Sequence, residues 1–281
     1  MEATRTPAGW RSFSGRRKSN QDAVVAGQLG DGRELIAIAD GMGGHHGGAV
    51  AAQQALDTLT RTLEAGGTLR EGMVAANAAV YRSALENPAW AGMGTTLVAV
   101  LRTADSYSVA NVGDSRAYAV AERGIKQITA DHSFLAEALR AKQMTPEEAK
   151  KSRWSNALTR AIGTEEQVEV DEFGPFDARS PHSIVLCSDG LHGSVSDSSL
   201  QQCVINTRDV WAAAMCLADE AFRNGSKDNI SVAVIRFGER ITVNVNGAAT
   251  AARVTSKSSR LMVAADNKRH SLLRRFFTLF S

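Results

Sequence analysis

Two apolar, strand-like runs end in an aspartate that is followed by glycine. The first run leads into Asp40-Gly41 and the second into Asp189-Gly190. A carboxylate at such a position emerges at the end of a sheet, and the glycine lets the backbone turn tightly or bring its carbonyl close to an ion. One Asp-Gly pair taken alone is more simply interpreted as a favoured turn. A metal site therefore needs support from other residues.

Two further aspartates, Asp22 and Asp228, stand immediately before or at the start of other predicted strands. Four aspartates at strand margins could converge at one end of packed sheets. Mg²⁺ and Mn²⁺ prefer oxygen ligands and keep several waters, so two ions need only a few carboxylates. Such a pair lowers the pKa of a bound water and clamps the attacking and leaving oxygens of a phosphoryl displacement. The aspartates thus predict a metal-dependent phosphoryl-transfer site.

The elements that must position these aspartates follow from the hydrophobic pattern. β-rich runs cover residues 22–29, 34–39, 95–102, 106–112, 116–121, 125–129, 168–173, 183–187 and 230–237. Helical patterns cover residues 48–65, 68–86, 133–141, 146–151, 196–205 and 209–223. Because strands follow strands and helices come in pairs, the order favours antiparallel sheets covered by helices over alternating βαβ units.

Seven motifs carry a resemblance to a known family. In order they are Gly15-Arg-Arg-Lys-Ser-Asn-Gln-Asp22, Asp40-Gly-Met-Gly-Gly-His45, Gly94-Thr-Thr-Leu97, Asn111-Val-Gly-Asp114-Ser-Arg116, Leu158-Thr-Arg-Ala-Ile-Gly163, Ser188-Asp-Gly-Leu191 and Asp228-Asn229. Between about Phe13 and Phe237 the chain resembles the metal-dependent protein phosphatases of the type 2C (PPM) family, particularly their bacterial branch. The resemblance implies an α+β fold, a four-layer α/β/β/α sandwich of two antiparallel sheets flanked by helices, with metals in a channel at one end.

The resemblance also implies a metal-binding role for individual residues. Asp40 would bridge two Mn²⁺ or Mg²⁺ ions, and Gly41 would contribute its carbonyl oxygen. Asp189 and Asp228 would complete the coordination of the first ion. Asp22 would support the second ion, directly or through water. The resemblance therefore implies two divalent ions, with a third as in bacterial relatives.

Two more positions match functional residues of the family. Asp114 matches the aspartate that, with Asp189, holds a third metal in bacterial relatives. Arg17, five residues before Asp22, matches the phosphate-binding arginine, whose planar donor fork suits a pair of phosphate oxygens. The resemblance implies direct hydrolysis of phosphoserine or phosphothreonine in a phosphoprotein by a metal-bound water or hydroxide, which would reverse the action of a serine/threonine kinase. No phosphoenzyme is required.

Three positions depart from the pattern of the relatives. Gln21 stands where many have glutamate, and Ala49 stands where the glycine-rich motif commonly ends in glutamate. Met42 occupies the position of a histidine proposed as general acid in eukaryotic relatives, and a thioether cannot donate a proton. Two other functions therefore stay open: a pseudophosphatase that binds a partner without turnover, and a phosphatase of small phosphorylated metabolites.

Composition excludes several other classes. The net charge is +2, but residues 239–281 hold eight Lys or Arg against two Asp or Glu, so residues 1–238 are mildly acidic. That body lacks the basic face that a nucleic-acid partner requires. No stretch reaches the roughly 20 apolar residues of a spanning helix, and we expect a cytoplasmic monomer. The dispersed Cys187, Cys203 and Cys216 are expected to be reduced.

The C-terminal residues form a separate region of the sequence. We expect a phosphatase domain over residues 1–238, a basic linker over 239–267 and an amphipathic helix over 268–281. At 100° per residue the apolar side chains fall in one arc opposite Arg274, Arg275 and Thr278; they are Leu272, Leu273, Phe276, Phe277, Leu279 and Phe280. Such a face could dock on the phosphatase body, in a partner's groove or at an anionic membrane surface.

Overall fold

The computed structural model of the chain describes residues 8–43, 47–149, 152, 154, 157–179, 182–237 and 262–263. Its strands are β1 (Ala8–Phe13), β2 (Asp22–Gln28), β3 (Glu34–Met42), β4 (Gly94–Thr95), β5 (Leu97–Arg102), β6 (Ser106–Val112), β7 (Arg116–Ala121), β8 (Gly124–Gln127), β9 (Asp171–Asp177), β10 (His182–Cys187), β11 (Ile230–Phe237) and β12 (Met262–Val263). Its α-helices are α1 (Gly47–Glu64), α2 (Leu69–Glu86), α3 (Phe134–Arg140), α4 (Pro146–Ala149), α5 (Asp189–His192), α6 (Asp197–Asn206) and α7 (Val210–Arg223).

The strands form two antiparallel sheets. One sheet has the order β1-β11-β10-β7-β8, and the other has the order β12-β2-β3-β5-β6-β9 with β4 beside β3. An apolar layer lies between the two sheets, and separate apolar layers lie between each sheet and its helices. The predicted four-layer sandwich is therefore confirmed.

Strand β3 contributes side chains to two of these apolar layers. Side chains alternate between the faces of a strand, so Ile36 and Ile38 enter the layer between the sheets. Leu35, Ala37 and Ala39 enter the layer under α1 and α2. Because both faces are covered, the run is continuously apolar rather than alternating with polar residues.

The helices lie where the spacing of their apolar residues predicted them, and their ends differ from the prediction by no more than two residues. Helix α2 begins at a capping box in which the side chains and backbone of Thr68 and Glu71 bond reciprocally. The sequence did not predict β1, α5 or β12, and it placed the strand of residues 171–177 a few residues too early. Among the described residues no helix is both long and apolar enough to cross a bilayer.

The expectation that all three cysteines are reduced is wrong. Cys203 on α6 and Cys216 on α7 form a disulfide, with a distance of 6.3 Å between their Cα atoms. They lie 13 residues apart in sequence, and only the packing of the two helices brings them together. Cys187 is a free, buried thiol on β10.

The C-terminal region is described in part. β11 ends at Phe237, and β12 adds Met262–Val263 to the outer edge of β2, opposite Val25 and Ala26. The remaining residues of the predicted linker and all of the predicted helix over 268–281 lie outside the described residues. The linker and the helix remain predictions.

One buried amide ties the outer helix layer to the sheet that carries Asp40. The side chain of Asn77 on α2 accepts a hydrogen bond from the N–H of Gly163 and donates to the carbonyls of Glu165 and Glu166. The neighbouring Ile162 exchanges two backbone hydrogen bonds with Thr95. Asn77 therefore fixes the loop that supports the end of β3.

We predict that Asn77→Ala lowers the free energy of unfolding by about 2–3 kcal/mol, because it leaves the buried N–H of Gly163 without a partner. Urea unfolding followed by circular dichroism measures the change. Arg82→Ala, an exposed change on the same helix, is the control and should stay within about 0.5 kcal/mol of wild type. Equal effects of the two changes would contradict this role for Asn77.

Candidate active site

The register of β2 and β3 places two of the predicted aspartates side by side. Asp22 and Asp40 are direct partners across the two strands, so their side chains lie on the same face. That face is the one of Ile38 and Val24, between the sheets. The apolar layer between the sheets therefore ends in a pair of carboxyl groups.

The other aspartates reach the same end of the sandwich from the opposite sheet and from β6. Asp189 is the first residue of α5, directly after β10, and Asp228 lies two residues before β11. Asp114 follows β6 in the short turn to β7. A cavity of about 580 Å³ opens here, and the predicted site residues that line it are Arg17, Asp40, Gly41, Asp114, Asp189 and Asp228.

Asp22 lies behind the wall of this cavity. Its side chain is almost fully buried, and Oδ2 accepts a hydrogen bond of 2.9 Å from the hydroxyl of Ser188. Ser188 and Ser231 in turn bond to each other across β10 and β11. This position suits the predicted indirect support of an ion better than direct contact.

The backbone of Asp40 is fixed by two threonines. The amide of Asp40 donates to Oγ1 of Thr96, and its carbonyl accepts from Oγ1 of Thr95 and from the amide of Thr96. Thr96 also shares a hydrogen bond of 2.7 Å with Ser115, next to Asp114. The Thr95-Thr96 pair thus couples the positions of two aspartates.

Gly41 allows β3 to meet the first turn of α1. A Cβ atom on Gly41 would overlap the carbonyl of Gly48 and the carbonyl oxygen of Gln21. Any other residue would push α1 away from the aspartates. His45 precedes this helix in the sequence, and it lies outside the described residues, as does His46.

The turn that carries Asp114 is held by two histidines. The amide of Gly113, whose φ of +105° favours glycine, donates to Nδ1 of His132. Nε2 of that ring therefore carries the proton, which it donates to Asp171. His192 donates from Nε2 to the carbonyl of Asp114. Burial and the nearby Arg116 lower the pKa of His192 to about 4, so it stays neutral.

Burial and mutual repulsion raise the pKa values of the clustered carboxyl groups. Burial raises the pKa of Asp22 to about 6. Burial and the charge of Asp189 raise the pKa of Asp114 to about 7. The pKa of Asp40 lies well above its ordinary value because of burial and then because of the charges of Asp22, Asp189 and Asp114. Without a cation some of these groups hold protons.

Two carboxylate oxygen atoms of the cluster also lack, in the described part of the chain, a partner that would neutralise their charge. Oδ1 of Asp22 and Oδ1 of Asp189 are buried, and neither has a hydrogen-bond partner among the described residues. Buried carboxylate oxygens normally find donors or cations. The described residues that line the cavity include no histidine or cysteine, so the ligands on offer are hard oxygen atoms. This set fits Mg²⁺ or Mn²⁺.

Arg17 occupies the rim of the cavity and contacts one of the aspartates. Its Nη2 donates to Oδ2 of Asp228 over 2.8 Å, and its Nε donates to the carbonyl of Lys227. The sequence predicted Arg17 for phosphate and Asp228 for metal, but it did not predict their ion pair. The side chain of Arg17 is 57% exposed, so solvent and ligands can reach it.

Asn229 is a positioning residue. The sequence analysis named it only as part of the Asp228-Asn229 motif and gave it no role. Its Nδ2 donates to the carbonyls of Ser14 and Ser19, and its Oδ1 accepts from the amide of Gln21. It therefore holds both ends of the loop that carries Arg17. The signal in the sequence was an amide directly after Asp228, at the start of the last strong strand.

Comparisons with known proteins show the family of the chain. The family described as protein phosphatase 2C matches residues 11–221. A serine/threonine phosphatase stp of Listeria welshimeri is 34% identical over 240 residues, which cover 81% of this chain and 94% of that protein. The serine/threonine protein phosphatase PstP of Mycobacterium tuberculosis is 35% identical over 224 residues, which cover 78% of this chain and 42% of that protein.

Solved structures resemble the fold as well. The crystal structure of serine/threonine phosphatase Stp1 from Staphylococcus aureus is 33% identical, with a TM-score of 0.76, over 83% of this chain and 96% of that one. Both sheets and their flanking helices fall within this similarity. The chain therefore belongs to the protein phosphatase 2C family.

Proposed function

We propose that this protein hydrolyses phosphoserine and phosphothreonine in proteins, using divalent metal ions held by its aspartates. The observation that carries the proposal is that four aspartates line one cavity and Asp22 lies behind its wall, with buried oxygen atoms that lack a partner among the described residues. Relatives that match most of the chain are named as serine/threonine phosphatases. A kinase that adds these phosphates is the expected counterpart in the cell.

The residues that would hold the ions are those with oxygen atoms on the cavity. The charges of Asp189 and Asp114 act on Asp40, and the charge of Asp228 acts on Asp189, so these four carboxyl groups are neighbours at the cavity. Gly41 offers its carbonyl oxygen. Bound Mn²⁺ or Mg²⁺, two ions with a third at Asp114, would activate a water and neutralise charge on the phosphate.

Arg17 would bind the phosphate of the substrate. Its guanidinium stands at the mouth of the cavity, and its ion pair with Asp228 keeps it there before substrate arrives. The guanidinium would donate charge-assisted hydrogen bonds in bidentate form to the phosphate.

The leaving alkoxide must take its proton from water. Met42 lines the cavity at the position of the general acid of eukaryotic relatives, and its thioether has no proton to give. The cavity is open to solvent through Arg17 and Lys18 at its rim, so water can reach the leaving oxygen.

All the predicted aspartates are present and brought together, which favours an enzyme over a pseudophosphatase. Gln21 and Ala49 are uncharged where many relatives have glutamate. The side-chain amide of Gln21 donates to the carbonyl of Gly43, so it supports the loop after β3 as a neutral group.

We predict that Asp40→Asn or Asp189→Asn lowers turnover of p-nitrophenyl phosphate and of a phosphothreonine peptide by more than about 100-fold, since several kcal/mol of charge stabilisation depend on the ions. Excess EDTA should lower the turnover of both substrates by the wild-type protein to a similar extent. Asp57→Asn, an exposed change on α1, is the control.

The folded state should survive these changes, because each removes a repelling carboxylate from a buried cluster. Thermal unfolding in EDTA should show no loss of stability for Asp40→Asn. Full turnover by wild type in excess chelator would refute the metal-dependent mechanism.

We predict that Arg17→Ala raises KM for the phosphothreonine peptide by about 10-fold or more, because charge-assisted hydrogen bonds to the phosphate are lost. Affinity for Mn²⁺ should not fall, since the change removes a cation that competes for Asp228. Titration calorimetry of the same variant measures that affinity. A Mn²⁺ affinity reduced as strongly as in Asp40→Asn would show that Arg17 serves the ions and not the phosphate.

We predict that affinity for Mn²⁺ falls as the pH is lowered from 8 to 6. The ions bind deprotonated carboxylates, and the pKa of Asp114 is raised to about 7 and that of Asp22 to about 6. Protons therefore compete with the ions below about pH 7. Mn²⁺ titrations at several pH values test this, and Asp114→Asn should flatten the dependence near pH 7. Equal Mn²⁺ affinity at pH 6 and pH 8 would contradict it.

A further inference from the structure

A second group of metal-ligating side chains lies on the outer layer of the molecule. Cys203 of α6 and Cys216 and Glu220 of α7 each offer one ligand atom, and the three atoms lie within 4.8 Å of one another. Sγ of Cys203 is 3.5 Å from Oε2 of Glu220. None of the three residues lines the active-site cavity. The group is therefore separate from the catalytic aspartates.

Two packed helices hold these side chains in place. Cys216 and Glu220 are four residues apart on α7, so they lie on the same face one turn apart. The neighbours Val204 and Leu217 are buried against the sheet of β10 and β11. The three ligands thus project from rigid helices and are only half-buried, which leaves them accessible to an ion from solvent.

The guanidinium of Arg236 holds the turn between α6 and α7 in place through hydrogen bonds. Arg236 on β11 donates to the carbonyl oxygens of Val204, Thr207 and Arg208 at the end of α6 and in the turn to α7. The spacing of α6 and α7 is consequently set by the sheet and by this clamp as well as by the disulfide. Reduction of the disulfide should leave the two thiols close together.

We propose that, in the reduced protein, Cys203, Cys216 and Glu220 bind one Zn²⁺ ion, with a water as the fourth ligand. Two thiolates and one carboxylate suit the borderline-soft Zn²⁺, which prefers four ligands in tetrahedral geometry. The distance of 6.3 Å between the two cysteine Cα atoms lets both sulfur atoms face a common point. The catalytic aspartates select hard ions instead, so the two sites differ in the metals they prefer.

The disulfide and the zinc site are alternative states of the same sulfur atoms. A dithiol reductant breaks the S–S bond by transferring two electrons and two protons, and is itself oxidised to a disulfide. The two thiols that result release their protons when Zn²⁺ binds. In either state α6 and α7 are cross-linked, and only the reduced state holds the ion.

The test uses Co²⁺ as a spectroscopic substitute for Zn²⁺ in the full-length protein. A thiolate bound to Co²⁺ gives a charge-transfer band in the near ultraviolet, whereas the oxygen ligands of the catalytic site do not. After reduction, with three thiols counted in denaturant, one equivalent of Co²⁺ should produce the band. One equivalent of Zn²⁺ should abolish it.

Variants locate the site. Cys203→Ser and Cys216→Ser should each lose the band, and Glu220→Gln should weaken Co²⁺ binding by about 10-fold or more. Cys187→Ala, which removes the buried thiol outside the group, and Asp40→Asn should keep it. Reduced wild type without the band, or a band that survives in Cys203→Ser, overturns the proposal. A disulfide that resists the dithiol also overturns it.

Discussion

The repulsion between buried carboxyl groups is the constraint on which the rest of this structure depends. Asp40 is half-buried at the cavity, and burial together with the charges of Asp22, Asp189 and Asp114 raises its pKa. A cluster of this kind is unstable as a set of anions unless protons or cations neutralise it. The sandwich concentrates this unfavourable charge at one end, where a cavity lets cations in. Metal dependence, which is general in the protein phosphatase 2C family, agrees with this concentration of negative charge.

Neutral hydrogen bonds keep the aspartates in place while they repel one another. Thr95 and Thr96 fix the backbone of Asp40, Ser188 bonds to the carboxyl of Asp22, and His132 holds the turn before Asp114. These partners orient the carboxyl groups without neutralising them. The negative charge therefore remains available for a positively charged ligand.

Local patterns predicted antiparallel sheets covered by helices and four aspartates at strand margins, and the family resemblance supplied the four-layer arrangement and Asp114. Apolar runs such as that of β3 are long enough to show burial on two faces, and Asp-Gly pairs mark where strands end. Contacts between distant segments could not be predicted in this way. The pairing of Cys203 with Cys216, the ion pair of Arg17 with Asp228 and the role of Asn229 depend on how helices and loops pack. The short β1 lacked a pattern of its own and becomes a strand only beside β11.

The contacts between the two ends of the described domain have a consequence for synthesis on the ribosome. β1 pairs with β11, and Arg17 bonds to a residue 211 positions later in the chain. The strands β2, β3, β5, β6 and β9 have all left the exit tunnel once residue 177 has emerged, since a chain emerges from its N-terminus. The loop of Arg17 and the edge strand β1 must wait for Asp228, Asn229 and β11. A nascent chain shorter than this contains Asp22 and Asp40 but not Asp228, so its site stays incomplete until β11 is made.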